Sequence, residues 1–188
     1  MSDPTRQTPA AFFHFLTQSF QYPEQSWLTE SYFDLFVEIA HNLRLAHNVP
    51  MLCRQYFNNA QGLEILQIEY NRLFINAVPS VIAPPYSSVY LDGEGTLFGP
   101  SAEEVKRFYQ HHGFDLAGSA AIPDHLTLEL EFLALLIDDQ QHAAAEQFLH
   151  HHFRIWFPRF QERVLTNTTN PFYTSLISMV DFFTREEP

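Results

Sequence analysis

The chain has 188 residues, 46% of them hydrophobic, with 19 Phe, 8 Tyr and 2 Trp, which predicts one globular domain over residues 1–188 and excludes a disordered or fibrous protein. Twenty-two Asp and Glu against ten Lys and Arg give a formal charge of −12; such a surface repels phosphate backbones and anionic lipid, so nucleic acid is excluded as a partner and a basic ligand fits better. The one cysteine, Cys53, excludes a disulfide framework and any zinc site built from several thiolates, and it reads as a small core residue.

The start, MSDPTRQTPA, lacks the basic and apolar regions of a secretory signal, and no apolar run reaches the roughly 18 residues of a membrane span. A cytoplasmic protein without stable membrane insertion is expected. AAFFHFLTQSF reads as a helix ending before Pro23, and SWLTESYFDLFVEIAHNLRLA as a second, with Phe33, Phe36, Val37 and Ala40 on one face. Pro50 interrupts before a third segment around MLCRQYFNNA. In LEILQIEYNRLFINA the stripe Leu63, Leu66, Tyr70, Leu73, Phe74 and Ala77 has i, i+3, i+4 spacing and predicts a helix. Residues 78–100, rich in Pro, Gly and Tyr, read as a long loop, and a long loop inside a compact domain is usually functional.

Helix resumes at Ser101, where Ser101 and Glu104 have capping-box spacing, and stops at Gly113. Asp124 then opens a helix whose Leu126, Leu130, Leu133 and Ile137 share a face while Leu128, Phe132, Leu135 and Leu136 cover much of the rest, so it belongs at the centre of the fold. AAAEQFLHHHF, RIWFPRFQERVLT and PFYTSLISMVDFFT complete an all-α chain, the last begun by Asn170 with Pro171 at its first position.

Few residues suggest chemistry. DGEGTLFG, from Asp92 to Gly99, lacks the spacing, the lysine and the preceding strand of a phosphate loop and reads as a turn. His111-His112 and His150-His151-His152 lack paired ligand spacing; adjacent helical residues point about 100° apart, so exposed histidines are expected and no metal. No Ser or Cys stands in a nucleophile motif, so an enzyme is not expected. Asp124 after Pro123 is a good N-cap, and the helix dipole would hold His125 neutral. Capping does not account for the aromatic, proline-rich loop.

The run EYNRLFINAVPSVIAPPYSSVYLDGEGTLFG, then VKRFYQHHGF, PDHLTLELEFLALL, HFRIWFPRF and NPFY, in order from Glu69 to Tyr173, resembles the TorD/DmsD family of redox-enzyme maturation chaperones. The resemblance implies a single-domain helical bundle, no cofactor of its own, and a monomer or a helix-exchanged dimer hinged at the long loop. It implies a cytosolic chaperone that binds the twin-arginine leader, or the apo form, of a molybdenum-cofactor oxidoreductase and withholds it from export until the cofactor is inserted. Leader binding in the family is associated with the Asp-His pair and with aromatics on the preceding helix and loop. By position these are Asp124 and His125 with Tyr70, Leu73, Phe74, Tyr86 and Tyr90; some relatives carry tryptophan where this chain has Tyr70, Tyr86 and Tyr90.

The residue chemistry suits that role. A twin-arginine leader needs carboxylates for bidentate pairing and an apolar aromatic surface beside them. Asp124, with Glu129 or Glu69, is expected to take the arginines, Tyr86 and Tyr90 to stack on them or line the groove, and His125 to orient Asp124 or bond the leader backbone. Two rivals are a family member serving a metalloprotein that is not exported, and a metal-dependent hydrolase using Asp124, His125 and the histidine clusters.

Overall fold

The structure is a computed structural model that describes residues 9–45, 61–78, 80–93, 95–116 and 121–185. The expected third segment, with Cys53, lies outside the described residues. The chain is all-α, as expected: among the described residues there is no strand, only an isolated antiparallel bridge between Tyr86 and His125. The residues cluster into two compact units, one of Met1–Gln21 with Pro85–Arg159, the other of Tyr22–Pro84 with Phe160–Pro188.

The first unit is organised by its most apolar segment. Helices α1 (Pro9–Ser19), α4 (Ser87–Leu91), α5 (Pro100–His111), α6 (Leu126–Asp138) and α7 (His142–Phe148) belong to it, with the first turns of α8 (Arg154–Asn167). Leu126, Leu130, Leu133, Ala134 and Leu136 of α6 are fully buried, so the expected central helix is present. Helix α1 packs against α6, and His14 of α1 meets Asp138 at the end of α6 at 3.1 Å. Tyr109 of α5 and Phe148 of α7 close on Phe132 of α6, at centroid distances of 4.3 and 5.2 Å. A π-helical turn over Leu149–Phe153 joins α7 to α8. It ends one turn before Pro158, which cannot donate to the carbonyl of Arg154, so the irregular ladder falls where a proline would break it.

The second unit holds α2 (Glu30–Asn42), α3 (Gly62–Tyr70), the rest of α8 and α9 (Pro171–Thr184). Thr29 caps α2, its hydroxyl accepting from the Tyr32 N–H at 3.2 Å, so α2 starts at Glu30 rather than at Ser26. Phe36 of α2 stacks on Phe172 of α9 with centroids 5.0 Å apart. Helix α3 runs on into a π-helical turn, Asn71–Ile75, and the Tyr173 hydroxyl of α9 donates to the Leu66 carbonyl of α3 at 2.9 Å. Asn170 caps α9 through the Phe172 N–H at 3.0 Å with Pro171 in the first turn, as its sequence predicts.

Two expected helix starts are corrected. Helix α5 begins at Pro100, not Ser101, and its cap comes from upstream: the Asp92 carboxylate accepts from the Ser101 N–H at 3.0 Å and from its hydroxyl at 2.6 Å. A capping oxygen eight or nine residues away replaced the local Ser101–Glu104 box. Gly113, at φ +87°, does terminate the helix. Helix α6 is capped by His125, whose Nδ1 accepts from the Thr127 N–H at 3.2 Å, and not by Asp124.

Candidate functional site

Asp124 is fully buried, at 0% exposure, and it caps a helix that sequence did not show. The expected loop folds at Ser87–Leu91 into the short helix α4. Asp124 Oδ2 accepts from the Ser88 N–H at 2.7 Å and faces the Ser87 hydroxyl at 3.4 Å, while its carbonyl accepts from the Ser87 N–H at 3.0 Å. The Leu126 N–H donates to the Pro85 carbonyl at 2.9 Å, completing the bridge at Tyr86 and His125. The capping carboxylate therefore acts across 36 residues of chain.

This bridge sets two side chains edge to face. The Tyr86 and His125 rings lie 4.9 Å apart at 73°, and both residues are only partly buried. Because His125 Nδ1 accepts from Thr127, with its hydroxyl at 2.6 Å, Nε2 carries the ring proton of the neutral form. Burial, opposed in part by the Asp124 charge, lowers the His125 pKa from 6.5 to about 4. Burial and then the Asp124 charge raise the Tyr86 phenol above its ordinary range. At neutral pH the pair offers two uncharged donors, a phenol and an imidazole N–H.

The remaining first-unit candidates lie inside. Tyr90 is 5% exposed and stacks on Trp156 at 5.6 Å, and its carbonyl accepts from Arg159 at 2.7 Å. Glu129 is 0% exposed; His152 donates to its Oε1 at 2.8 Å and the Trp156 indole to its Oε2 at 2.9 Å. Both oxygens are engaged in the core, so Glu129 is not placed to receive an arginine from solvent. Burial raises its pKa, against the lowering effects of His152 and Trp156. For His152, burial pulls downward and the Glu129 carboxylate pulls upward, with a net rise. His150 and His151 are exposed as expected, but His152 is not; the i, i+4 series Phe148, His152, Trp156 was the signal that this histidine faces inward.

In the second unit Tyr70, Leu73 and Phe74 are buried. Tyr70 meets Tyr22 at 5.5 Å and Phe74 at 5.2 Å, while Phe74 stacks on Phe160 at 6.0 Å. The Leu73 carbonyl accepts from the Ala83 N–H at 2.8 Å, which ties the start of the long segment to the π-helical turn after α3. Glu69 is held by Arg72 through two bonds of 2.8 and 2.7 Å and by the Thr168 hydroxyl. Burial would raise its pKa, but these partners bring it below the usual carboxylate value. No group of His, Cys, Asp or Glu among the described residues is arranged to hold a metal ion, and no described helix is long and apolar enough to cross a membrane.

Comparison with known proteins places this arrangement. The family described as nitrate reductase delta subunit matches residues 42–162, more than half of the chain. The chain is 34% identical over 116 residues to the Tat proofreading chaperone DmsD of Salmonella typhi, covering 60% of this chain and 55% of that protein. It is 29% identical over 102 residues to the chaperone protein TorD of Actinobacillus succinogenes, covering 53% and 52%. The chain thus spans about half the length of these curated relatives, which are named as chaperones and not as enzymes. In fold it is similar to an Archaeoglobus fulgidus crystal structure assigned to redox enzyme maturation, with a TM-score of 0.61 at 24% identity over 98% of this chain and 100% of that one. By family match, relatives and fold, the chain belongs to the TorD/DmsD family of redox-enzyme maturation chaperones.

Proposed function

We propose that the chain binds the twin-arginine leader of a molybdenum-cofactor oxidoreductase in the cytoplasm, and holds the apo-enzyme back from export while its cofactor is inserted. The observation that carries this reading is the Tyr86–His125 pair: two partly exposed rings, joined by a backbone bridge and underpinned by a buried carboxylate. A leader of arginines followed by apolar residues needs aromatic faces for its guanidinium groups and side chains and donors for its backbone carbonyls; the pair offers both, and the formal charge of −12 attracts the cations. The proofreading role named for the Salmonella typhi relative supports the same reading. Tyr86 and His125 are the contact residues on this account. Asp124 holds their backbone, while Tyr70, Leu73, Phe74, Tyr90 and Glu129 shape the units from within.

Affinity purification from the native host tests this, using the full chain as bait. It is expected to retain an oxidoreductase precursor, and to lose it when the leader is deleted from that client. Equal retention of client with and without its leader would overturn leader binding and favour a chaperone of a metalloprotein that is not exported.

A further inference from the structure

A cavity of about 180 Å³ opens beside α5 and α7 in the first unit, lined by Glu104, Phe108, Gln147, Phe148, His151 and His152, with Val105 behind them. It is smaller than the roughly 300–1,000 Å³ of sites for drug-sized ligands, so its occupant is a side chain rather than a cofactor. Its walls are aromatic: Phe108 and Phe148 lie 5.4 Å apart, and Phe148 meets the His152 ring at 5.1 Å. Its rim carries Glu104, which is exposed and makes no salt bridge among the described residues.

We propose that this pocket receives an arginine side chain of a bound polypeptide, with Glu104 as counter-charge, Gln147 as a further acceptor, and Phe108 and Phe148 as apolar walls. The proposal rests on the leader-binding reading for the identity of the polypeptide, but the pocket chemistry is independent of it. Four carboxylates of the unit are committed: Asp124 caps α4, Glu129 holds His152 and Trp156, Asp92 caps α5, and Asp138 meets His14. Glu104 instead lines the cavity together with the Phe108 and Phe148 rings. A guanidinium is flat, weakly hydrated and forked, so it lies on a ring face and pairs bidentately with a carboxylate; an ammonium keeps its water and does neither as well. The charge of His152 is matched chiefly by Glu129 at 2.8 Å, and Glu104 acts on it only as the smallest of its electrostatic neighbours, so the exposed Glu104 carboxylate is left to pair with a cation entering the pocket.

The test has two arms. In the first, butylguanidinium is titrated into the isotope-labelled full chain while the His151 and His152 ring signals are followed, with butylammonium as control. Saturable shifts are expected for the guanidinium, at least fivefold weaker in Glu104→Gln and in Phe108→Ala and weak for the ammonium. No shift in wild type, or shifts that both substitutions leave unchanged, overturn the assignment. In the second, a synthetic peptide with two adjacent arginines and a leucine-rich stretch is titrated against wild type and Glu104→Gln at low and high salt. A fivefold or greater loss at low salt that shrinks at high salt supports the pocket as a leader subsite, since the screened charge has been removed. Peptide affinity within twofold in Glu104→Gln rejects that subsite. If the first arm succeeds and wild type binds no peptide, the pocket stands and the leader-binding reading fails.

Discussion

Replacing Asp124 by Ala and by Asn separates a cap from an arginine ligand. In Asp124→Ala the Ser88 N–H, in a fully buried residue, loses the acceptor at 2.7 Å and the Ser87 hydroxyl loses its neighbour at 3.4 Å. A lost helix cap costs about 1 kcal/mol and an orphaned buried donor about 1–3 kcal/mol, so the variant should lose about 2–4 kcal/mol. In Asp124→Asn the amide oxygen can still accept from the Ser88 N–H, and the amide nitrogen takes the place of Oδ1, which has no hydrogen bond in the structure. Removing the charge also relieves Glu129 and Tyr109, whose pKa values Asp124 helps to raise. The net loss should stay within about 1 kcal/mol. Urea unfolding reads both: with a slope of about 2 kcal/mol/M, the midpoint should fall by about 1–2 M in the alanine variant and by less than about 0.5 M in the asparagine variant. Amide exchange at Ser87 and Ser88 should rise in the first only. Equal destabilisation by both substitutions, with exchange at Ser88 unchanged, would refute the capping role.

Three further expectations follow from the buried polar groups. His125 has a folded pKa of about 4 against 6.5, so the folded state binds fewer protons in that window; stability present above pH 6.5 should fall by on the order of 2–3 kcal/mol as pH drops towards 4, and the ring should stay neutral by NMR at pH 6. Glu129→Ala should cost about 3–5 kcal/mol by chemical denaturation, because it strands the Trp156 indole and His152; the His152 pKa, raised in wild type, should fall when measured by NMR. A Cβ at Gly99 would collide with the Asp92 carboxylate that caps α5, so Gly99→Ala should cost about 1–3 kcal/mol in wild type but much less in an Asp92→Ala background, a non-additivity that a double-mutant cycle measures.

The features legible in the sequence were those decided by neighbours along the chain. The apolar surface of Leu126–Asp138 placed α6 in the core, Asn170-Pro171 opened α9, and Gly113 closed α5. Capping by distant groups was not legible: Asp124 obeys the local rule for an N-cap, yet its partner is Ser88, and Asp92 displaces the box at Ser101. The helix at Ser87–Leu91 was hidden for the same reason, since five residues between Pro84-Pro85 and Asp92-Gly93 do not form a helix without an external acceptor. Aromatic residues carried the same ambiguity. Tyr70, Phe74 and Tyr90 were candidates for a peptide surface, but an aromatic stripe at helical spacing serves the core equally well, and these three are buried. Tyr86 differs because the bridge to His125 holds its ring at the edge of the unit.

The central claim is tested most directly by titrating the full chain with a synthetic twin-arginine leader peptide, wild type against Tyr86→Ala, by fluorescence anisotropy at low and high salt. Saturable binding that weakens with salt is predicted, with affinity about tenfold lower in Tyr86→Ala, as expected for the loss of one partly exposed aromatic contact, and a similar salt slope in both. Equal affinity in both proteins, or equal binding of a scrambled peptide of the same composition, would contradict a leader site at Tyr86 and His125.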